Sequence, residues 1–279
     1  HFLNFCMLPF LLTQPKIISW SIGMRASYTL LYDTEREKTF LDSIMCKIFN
    51  YCDANIFYYE HPLKFWGNKI DQKKVFIGFN TVKVKKIKNI SQEKKDSILF
   101  LGSLIKGKGI MDLIKSFEKS SFKRKDSNLI LNIIGDGPEY NLIDKYIKQN
   151  GLSKKIFLRG AIYDDEELES YFKKAICLIS PGQAGLTVLK SFAFGVPFIT
   201  SNNAITGGER LNIVNGFNGL FFKDQRGLDD ILERCLNDKV FFHKMGKNAY
   251  NFYWNEATID VMVDGFEKAI DYVLQKANI

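Results

Sequence analysis

The sequence predicts an α/β protein with two doubly wound domains of parallel strands, the first of them incomplete. From Lys16 onwards, short apolar runs alternate with amphipathic stretches, the pattern of βα units whose helices cover both faces of a parallel sheet. Between Lys83 and Asp96 the residues become mostly polar, as in a linker. The 279 residues are 46% hydrophobic and 25% charged, which suits two ordinary globular domains.

Three strands and one helix are predicted before the linker. The helix runs from Thr34 to Tyr51, and its spacing places four apolar side chains on one face: Phe40, Ile44, Ile48 and Tyr51. The strands are Lys16 to Ile22, Ile56 to Tyr59 and Val75 to Phe79. Residues 2–12 are nearly all apolar but too few to span a bilayer as a helix, so we expect a buried element. Because the chain starts with His1 and not with Met, we expect a missing N-terminal portion.

The second domain is expected at residues 97–255, after a first domain at 1–83 and a linker at 84–96. Its predicted strands are Ile98 to Leu101, Leu129 to Ile134, Ile156 to Leu158, Ile176 to Ile179 and Phe198 to Thr200. Its predicted helices are Met111 to Lys119, Glu139 to Gln149, Glu166 to Lys174 and Leu186 to Phe194, the third of which starts with an acidic capping box of Asp164 and Glu167. The helices Leu228 to Leu236, Val240 to Trp254 and Ile259 to Leu274 follow, and we expect the terminal helix, at 256–279, to pack back toward the first domain.

Composition narrows the classes of partner. The five cysteines have no metal-like or redox-like spacing and there are three histidines, so we expect no metal site and a reducing compartment. The net charge of +8 fits either a solvated lysine-rich surface or attraction to anionic partners such as lipid headgroups, nucleic acid or small substrates. The lysines are spread along the chain without a basic motif, which argues against nucleic acid as a partner.

Three glycine-rich turns follow predicted strands, where open parallel sheets bind their ligands. The first, Gly102 to Gly109, contains Lys108 close to a helix start, and taken alone it fits either a phosphate site or an ordinary strand-to-helix turn. The second, Gly135 to Pro138, is of a type that is usually structural. The third, Ser180 to Thr187, again enters a helix. Three such turns in one domain converge on one crevice, and a nucleoside diphosphate is its natural occupant.

Taken in order, these motifs resemble those of the retaining glycosyltransferases called group 1 or family 4, which have the GT-B architecture of two Rossmann-like domains. The resemblance runs from Ile98 to Trp254 and continues more weakly over Lys16 to Thr81. It is carried by the following segments: Gly102-Ser103-Leu104 with Lys108-Gly109, Gly135 to Pro138, Ile156 to Gly160, Gly185 to Ile199, Asn215 to Leu220, Cys52 to Ile56 and Phe79 to Thr81. The missing portion would then hold the first strands and a glycine loop on the acceptor side.

The resemblance implies a nucleoside diphosphate sugar on the second domain and transfer, with retained configuration, to an acceptor hydroxyl bound mainly by the first. No cofactor or metal is implied besides the donor. The implied donor-binding residues are Gly102, Ser103, Lys108, Gly137, Arg159, Gly185, Leu186, Thr187 and Lys190, and the implied catalytic residue is Glu209. Arg159 would face the base, although an arginine ending a strand also suits a surface ion pair. Glu209 also fits a simple helix-start acid.

Four positions depart from the family pattern. Its two glutamates, eight positions apart, fall on Gly182 and Lys190, its diphosphate-clamping arginine falls on Ser103, and its first-domain histidine falls on Ile22. Glu209 stands where related branches carry an acidic residue, and Lys190 adds positive charge in compensation. The alternatives are a degenerate subunit that binds nucleotide sugar without transferring it, and a nucleotide-sugar 2-epimerase.

The basic charge and the resemblance together suit an acceptor in cell-surface polysaccharide or lipid-linked glycan synthesis. We expect a cytoplasmic protein with peripheral contact to the anionic inner face of the membrane.

Overall fold

The computed structural model describes residues 15–25, 37–85, 95–123 and 128–277. The apolar segment 2–12, the first residues of the helix predicted from Thr34 and most of the predicted linker lie outside these ranges. The chain divides into two compact units, one formed by residues 1–81 with 257–279 and the other by Val82–Glu256.

The first unit contains a parallel sheet of three strands in the order β1-β2-β3. These strands are β1 (Ile18–Ser21), β2 (Ala54–Phe57) and β3 (Val75–Ile77), and they lie within or next to the predicted ones. Helix α1 (Phe40–Tyr51) connects β1 to β2, and a short helix that was not predicted, α2 (His61–Trp66), follows β2.

Helix α1 does not bury the apolar face that its spacing suggested. Phe40 and Tyr51 share that face but are 79% and 77% exposed, whereas Asp42 and Phe49 are fully buried. Asp42 is buried because its carboxylate accepts hydrogen bonds from the amide and hydroxyl of Thr39, which completes a capping box at the helix start. Phe49 packs edge-on against the rings of Phe57 and Trp66 in the core of this unit.

The second unit contains a six-stranded sheet, and every strand pairs in parallel with its neighbours. In chain order the strands are β4 (Ser97–Leu101), β5 (Ile130–Ile134), β6 (Ile156–Leu158), β7 (Ala175–Ile179), β9 (Phe198–Ser201) and β11 (Gly219–Phe222). The four connecting helices are α3 (Ile110–Lys123), α4 (Tyr140–Gln149), α5 (Asp165–Lys174) and α6 (Thr187–Ala193). The spatial order is β11-β9-β7-β4-β5-β6, so this domain is doubly wound as predicted.

Local signals placed most of these elements within two residues of their observed ends. Asp164 caps α5 by accepting from the amide of Glu167 at 2.8 Å, as its sequence spacing suggested. The strands at the centre of the sheet are mostly apolar, as in parallel sheets covered on both faces, and every residue of β4 and β7 is buried.

Three short strands were not predicted. A two-stranded parallel pair consists of β8 (Gln183–Ala184) and β10 (Ile205–Thr206), and β11 adds an edge to the main sheet beside β9. Two to four residues carry too little periodicity to be recognised in a sequence. Their pairing partners, which are distant along the chain, decide their conformation.

The three helices that end the chain are α7 (Gln225–Asn237), α8 (Lys239–Glu256) and α9 (Ile259–Ala277). Helices α7 and α8 belong to the second unit, where the indole of Trp254 donates to the carbonyl of Ala193 at 3.0 Å. Helix α9 belongs to the first unit, where Ala269 and Val273 pack on Ala54 and Ile56 of β2. The last helix therefore returns to the first domain, as the fold class predicts.

Candidate functional site

The six-stranded sheet has a topological switch point between β4 and β7. The chain places β5 and β6 on one side of β4, and then β7, β9 and β11 on the other. Ligands of open parallel sheets bind at such a point, beyond the carboxyl ends of the two strands. The turns that leave β4 and β7 are the first and third glycine-rich turns. Their backbones are in contact, since the amide of Gly182 donates to the carbonyl of Lys108 at 2.9 Å.

The first turn, residues 102–109, is called the lysine loop below. It leaves β4 at Gly102, whose φ of 148° lies in a region that other residues avoid, and it is anchored by the fully buried side chain of Leu104. A short 3-10 turn, Lys106–Lys108, leads to Gly109, whose left-handed φ of 69° lets helix α3 start. Ser103 is exposed in this loop.

The ammonium group of Lys108 lies over Gly102 and has no hydrogen-bond acceptor among the described residues. A Cβ atom on Gly102 would lie 3.2 Å from Lys108 Nζ, so glycine is the residue that leaves this space open. Lys108 is only 8% exposed, and its burial lowers the pKa of the ammonium below the usual lysine value. A buried ammonium without an acceptor favours the binding of an anion at this place.

The second turn, residues 135–138, packs against the lysine loop and is hydrogen-bonded to it. The amide of Leu104 donates to the carbonyl of Asp136, and the amide of Glu139 donates to the carbonyl of Leu104. A Cβ atom on Gly137 would lie 2.6 Å from the carbonyl oxygen of Leu104. Packing against the lysine loop therefore accounts for the glycine at 137, which the resemblance had assigned to donor binding.

The third turn has no room for a carboxylate at position 182. A Cβ atom on Gly182 would lie 2.1 Å from the carbonyl oxygen of Gly107, and Pro181 packs against Gly109 in the same way. The family's first glutamate is thus replaced by a glycine that the contact with the lysine loop requires. At the end of this turn, Gly185, Leu186 and Thr187 lead into α6, and Leu186 and Thr187 contribute amide groups at its start.

Glu209 lies beside the third turn because β8 and β10 pair in parallel and the 3-10 turn Glu209–Asn212 packs against α6. The Glu209 side chain is 5% exposed, and its Oε2 accepts from the amide of Gly207 at 2.9 Å. The carboxylate is therefore held in a fixed position by its own loop, which packs against α6.

Two further residues from the sequence prediction have partners of their own. Lys190 on α6 forms an ion pair with Asp165 at 2.8 Å. Arg159 is exposed, its Nε donates to Asn132 at 3.0 Å, and its guanidinium lies over the ring of Phe157. Lys190 is thus held against α5, and Arg159 is held at the end of β6.

Sequence reasoning missed Thr206, which shapes the loop that carries Glu209. Its hydroxyl accepts from the amides of Gly208 and Arg210 at 3.0 and 3.2 Å. A threonine followed by two glycines and a glutamate is a recognisable turn signal of this kind. Ser180 and Asn212 were not assigned a role, and each buries a polar side-chain atom that has no hydrogen-bond partner among the described residues.

Within the described ranges, no group of three or more His, Cys, Asp and Glu residues is arranged to hold a metal ion. None of the helices in the described part of the chain is both long and apolar enough to cross a membrane.

Comparison with known proteins gives three concordant results. A family model described as glycosyl transferases group 1 matches residues 82–252. The N-acetyl-alpha-D-glucosaminyl L-malate synthase of Bacillus anthracis is 25% identical over 202 residues, which cover 72% of this chain and 51% of that protein. S. aureus TarM, crystallised with Fondaparinux, alpha-GlcNAc-glycerol and UDP, superposes with a TM-score of 0.62 at 18% identity and covers 85% of this chain and 47% of its own.

A further structural neighbour is the pneumococcal O-GlcNAc transferase GtfA in complex with UDP and GlcNAc. It has a TM-score of 0.63 at 18% identity, over 83% of this chain and 47% of that one. These likenesses establish the fold. The chain spans about half the length of the curated relatives it matches.

The contact at Gly182 yields a stability prediction. Gly182→Ala forces the turn away from Gly107, and we expect the free energy of unfolding to fall by about 2 kcal/mol. Gly185→Ala is the matched control, because a Cβ atom there meets its nearest atom at 4.0 Å. Urea denaturation measures both. Equal stability of the two variants would contradict the requirement for glycine at 182.

Lys108→Met should stabilise the protein in the absence of ligand. Removing a buried ammonium without an acceptor raises the free energy of unfolding near neutral pH by about 1 kcal/mol. A lysine whose pKa is lowered in the folded state destabilises the protein at pH values where it is charged in both states. Between the lowered pKa and the ordinary lysine pKa the unfolded chain binds more protons than the folded one, so this destabilisation disappears as the pH rises.

The advantage of Lys108→Met over wild type should therefore shrink as the pH increases, which denaturation at a series of pH values tests. Lys106→Met, in the same loop but exposed, should show neither effect. A Lys108→Met protein less stable than wild type throughout would contradict the argument.

Proposed function

The chain belongs to the glycosyl transferases group 1 family, and on that premise we propose that the protein transfers a sugar from a nucleoside diphosphate sugar to an acceptor hydroxyl with retained configuration. The observation that carries this proposal is the buried Lys108 ammonium, without an acceptor in the described part of the chain, at the switch point of the sheet. A diphosphate is an anion that suits this position and this fold.

The chemical demand of the reaction is the negative charge that grows on the leaving diphosphate as its bond to the sugar breaks. Lys108, the exposed Ser103 hydroxyl and the amides from Gly185 to Thr187 provide positive charge and hydrogen-bond donors for it. Such fixed donors act on the transition state more than on the substrate, because they are already oriented where the charge develops. In this proposal no metal ion is needed.

Glu209 is proposed as the carboxylate that contacts the donor sugar. Position 182 has no space for a side chain, and position 190 carries a lysine paired with Asp165. Glu209 is buried, fixed through the Gly207 amide and adjacent to α6. A carboxylate here accepts hydrogen bonds from sugar hydroxyls and balances positive charge on the reacting sugar.

The same substitutions support a second candidate, a subunit that binds nucleotide sugar without transferring it. The two positions where the family pattern has glutamates offer no carboxylate, so catalysis depends on Glu209. The third candidate, a 2-epimerase, has less support, because the two described histidines, His61 in α2 and His243 in α8, belong to none of the glycine-rich turns.

The proposal is tested by saturation-transfer NMR with UDP-, GDP- and dTDP-sugars, followed by assay of nucleoside diphosphate release from the donor that binds. Lys108→Ala should abolish selective binding. Glu209→Gln should keep binding but lower turnover about 100-fold, since one fixed electrostatic group is removed. Glu169→Gln, on α5 and ion-paired with Lys173, is the control and should behave as wild type.

The outcomes separate the candidates. Binding without turnover in the wild-type protein favours the degenerate subunit. Release of a sugar epimerised at C2 favours the epimerase. A Lys108→Ala protein that binds as wild type does would refute the donor site.

We also propose a glycan or lipid-linked acceptor, a role in cell-surface polysaccharide synthesis, and peripheral contact with the anionic cytoplasmic face of a membrane. The support is the net charge of +8, since anionic lipids attract basic surfaces. The protein should sediment with vesicles containing phosphatidylglycerol more than with pure phosphatidylcholine vesicles, and salt should weaken the difference. Equal sedimentation with both would exclude this contact.

A further inference from the structure

An ion pair that the proposed chemistry does not use joins α5 to α6. Asp165 is the first residue of α5, and its Oδ1 lies 2.8 Å from Nζ of Lys190 on α6. Helices α5 and α6 start where the chain has left the carboxyl ends of β6 and β7, the edge of the sheet where ligands bind. Helix α5 also packs against β4, the first strand of the switch point.

A second side-chain contact links α5 to the end of α6. The ring of Phe172 on α5 stacks on Phe194 at the end of α6 with their centroids 4.5 Å apart. This ring contact, together with the ion pair, holds Asp165 close to Lys190.

The pair contains one atom that can still accept hydrogen bonds. Lys190 engages Oδ1 of Asp165, and within the described part of the chain Oδ2 has no recorded partner. The Asp165 side chain is 38% exposed, whereas that of Lys190 is 23% exposed, so the carboxylate is the more accessible member. Lysine only donates, and a ligand hydroxyl that must donate needs the carboxylate.

We propose that Asp165, oriented by Lys190, accepts the hydrogen bonds of the ribose hydroxyls of the bound nucleoside diphosphate. The inference rests on the proposed function, which places the diphosphate at the lysine loop. Ribose presents two neighbouring hydroxyl donors, and an acidic side chain at the edge of a parallel sheet is a suitable acceptor for them. Asp165 thereby makes the site select ribonucleotides over 2′-deoxyribonucleotides.

The Asp165–Lys190 pair is expected to add little to the stability of the fold, because exposed ion pairs contribute about 0 to 1 kcal/mol. The neighbouring pair of Glu166 and Lys85 shows the contrast. Its side chains are 74% and 77% exposed, as expected of a solvated surface contact. Glu166 is therefore a suitable control residue, being acidic, ion-paired and next to Asp165 in the chain.

The test is isothermal titration calorimetry of the full chain with UDP and 2′-deoxy-UDP, and with GDP and 2′-deoxy-GDP. We expect the wild-type protein to bind one ribonucleotide at least about tenfold more tightly than its 2′-deoxy form, as for a site built around a ligand hydroxyl. Asp165→Ala should bring that ratio close to one. Asp165→Asn should give an intermediate ratio, and Glu166→Gln should keep the wild-type ratio.

The ratio is measured within each variant, so a partial loss of stability affects both ligands alike. A wild-type ratio near one, or an unchanged ratio in Asp165→Ala, overturns the inference. Lys108→Ala distinguishes its failure from that of the proposed function. Suppose that Lys108→Ala lowers the affinity for the ribonucleotide and for its 2′-deoxy form equally, while the Asp165 variants keep the wild-type affinity ratio. The donor site is then supported, and only the role of Asp165 is refuted. If no nucleotide binds the wild-type protein, both fail.

Discussion

The contact between the lysine loop and the turn at Pro181–Gly182 is the constraint on which the candidate site depends. It joins the loops leaving the two strands of the switch point through the hydrogen bond from Gly182 to Lys108, and it brings the backbones so close that position 182 tolerates only hydrogen as a side chain. Because the backbone of Lys108 is fixed in this way, its side chain is held over Gly102 and away from water. The contact that positions the Lys108 ammonium therefore also leaves no room for a carboxylate side chain at position 182.

This contact leaves the Lys108 ammonium buried without a carboxylate at position 182 to pair with it. The Lys108 ammonium has lost most of its hydration and has gained no acceptor within the described residues, a condition that costs free energy in the unliganded protein. Functional sites commonly retain such unfavourable groups, since the ligand supplies the missing partner. The large apolar core of the domain compensates for this cost.

The carboxylates near α6 belong to neighbouring elements instead of to α6 itself. Glu209 belongs to the turn after β10, and Asp165 starts α5 and pairs with Lys190. Each is held by a hydrogen bond or an ion pair that fixes one of its oxygens. The resemblance pointed to Glu209, whereas Asp165 is brought to α6 only by the packing of α5.

Local patterns in the sequence predict the α/β class, the order of the long elements, the doubly wound second domain and the three glycine turns, because apolar periodicity, helix caps such as Asp164 and glycine turns are local signals. Long-range packing, by contrast, makes Asp42 and Phe49, and not Phe40 and Tyr51, the buried residues of α1. The same kind of packing makes Gly137 and Gly182 packing glycines, pairs Lys190 with Asp165, and brings Glu209 beside α6 through the β8–β10 pair. These facts depend on close approaches between residues far apart in the chain, and spacing along the sequence carries no information about such distances.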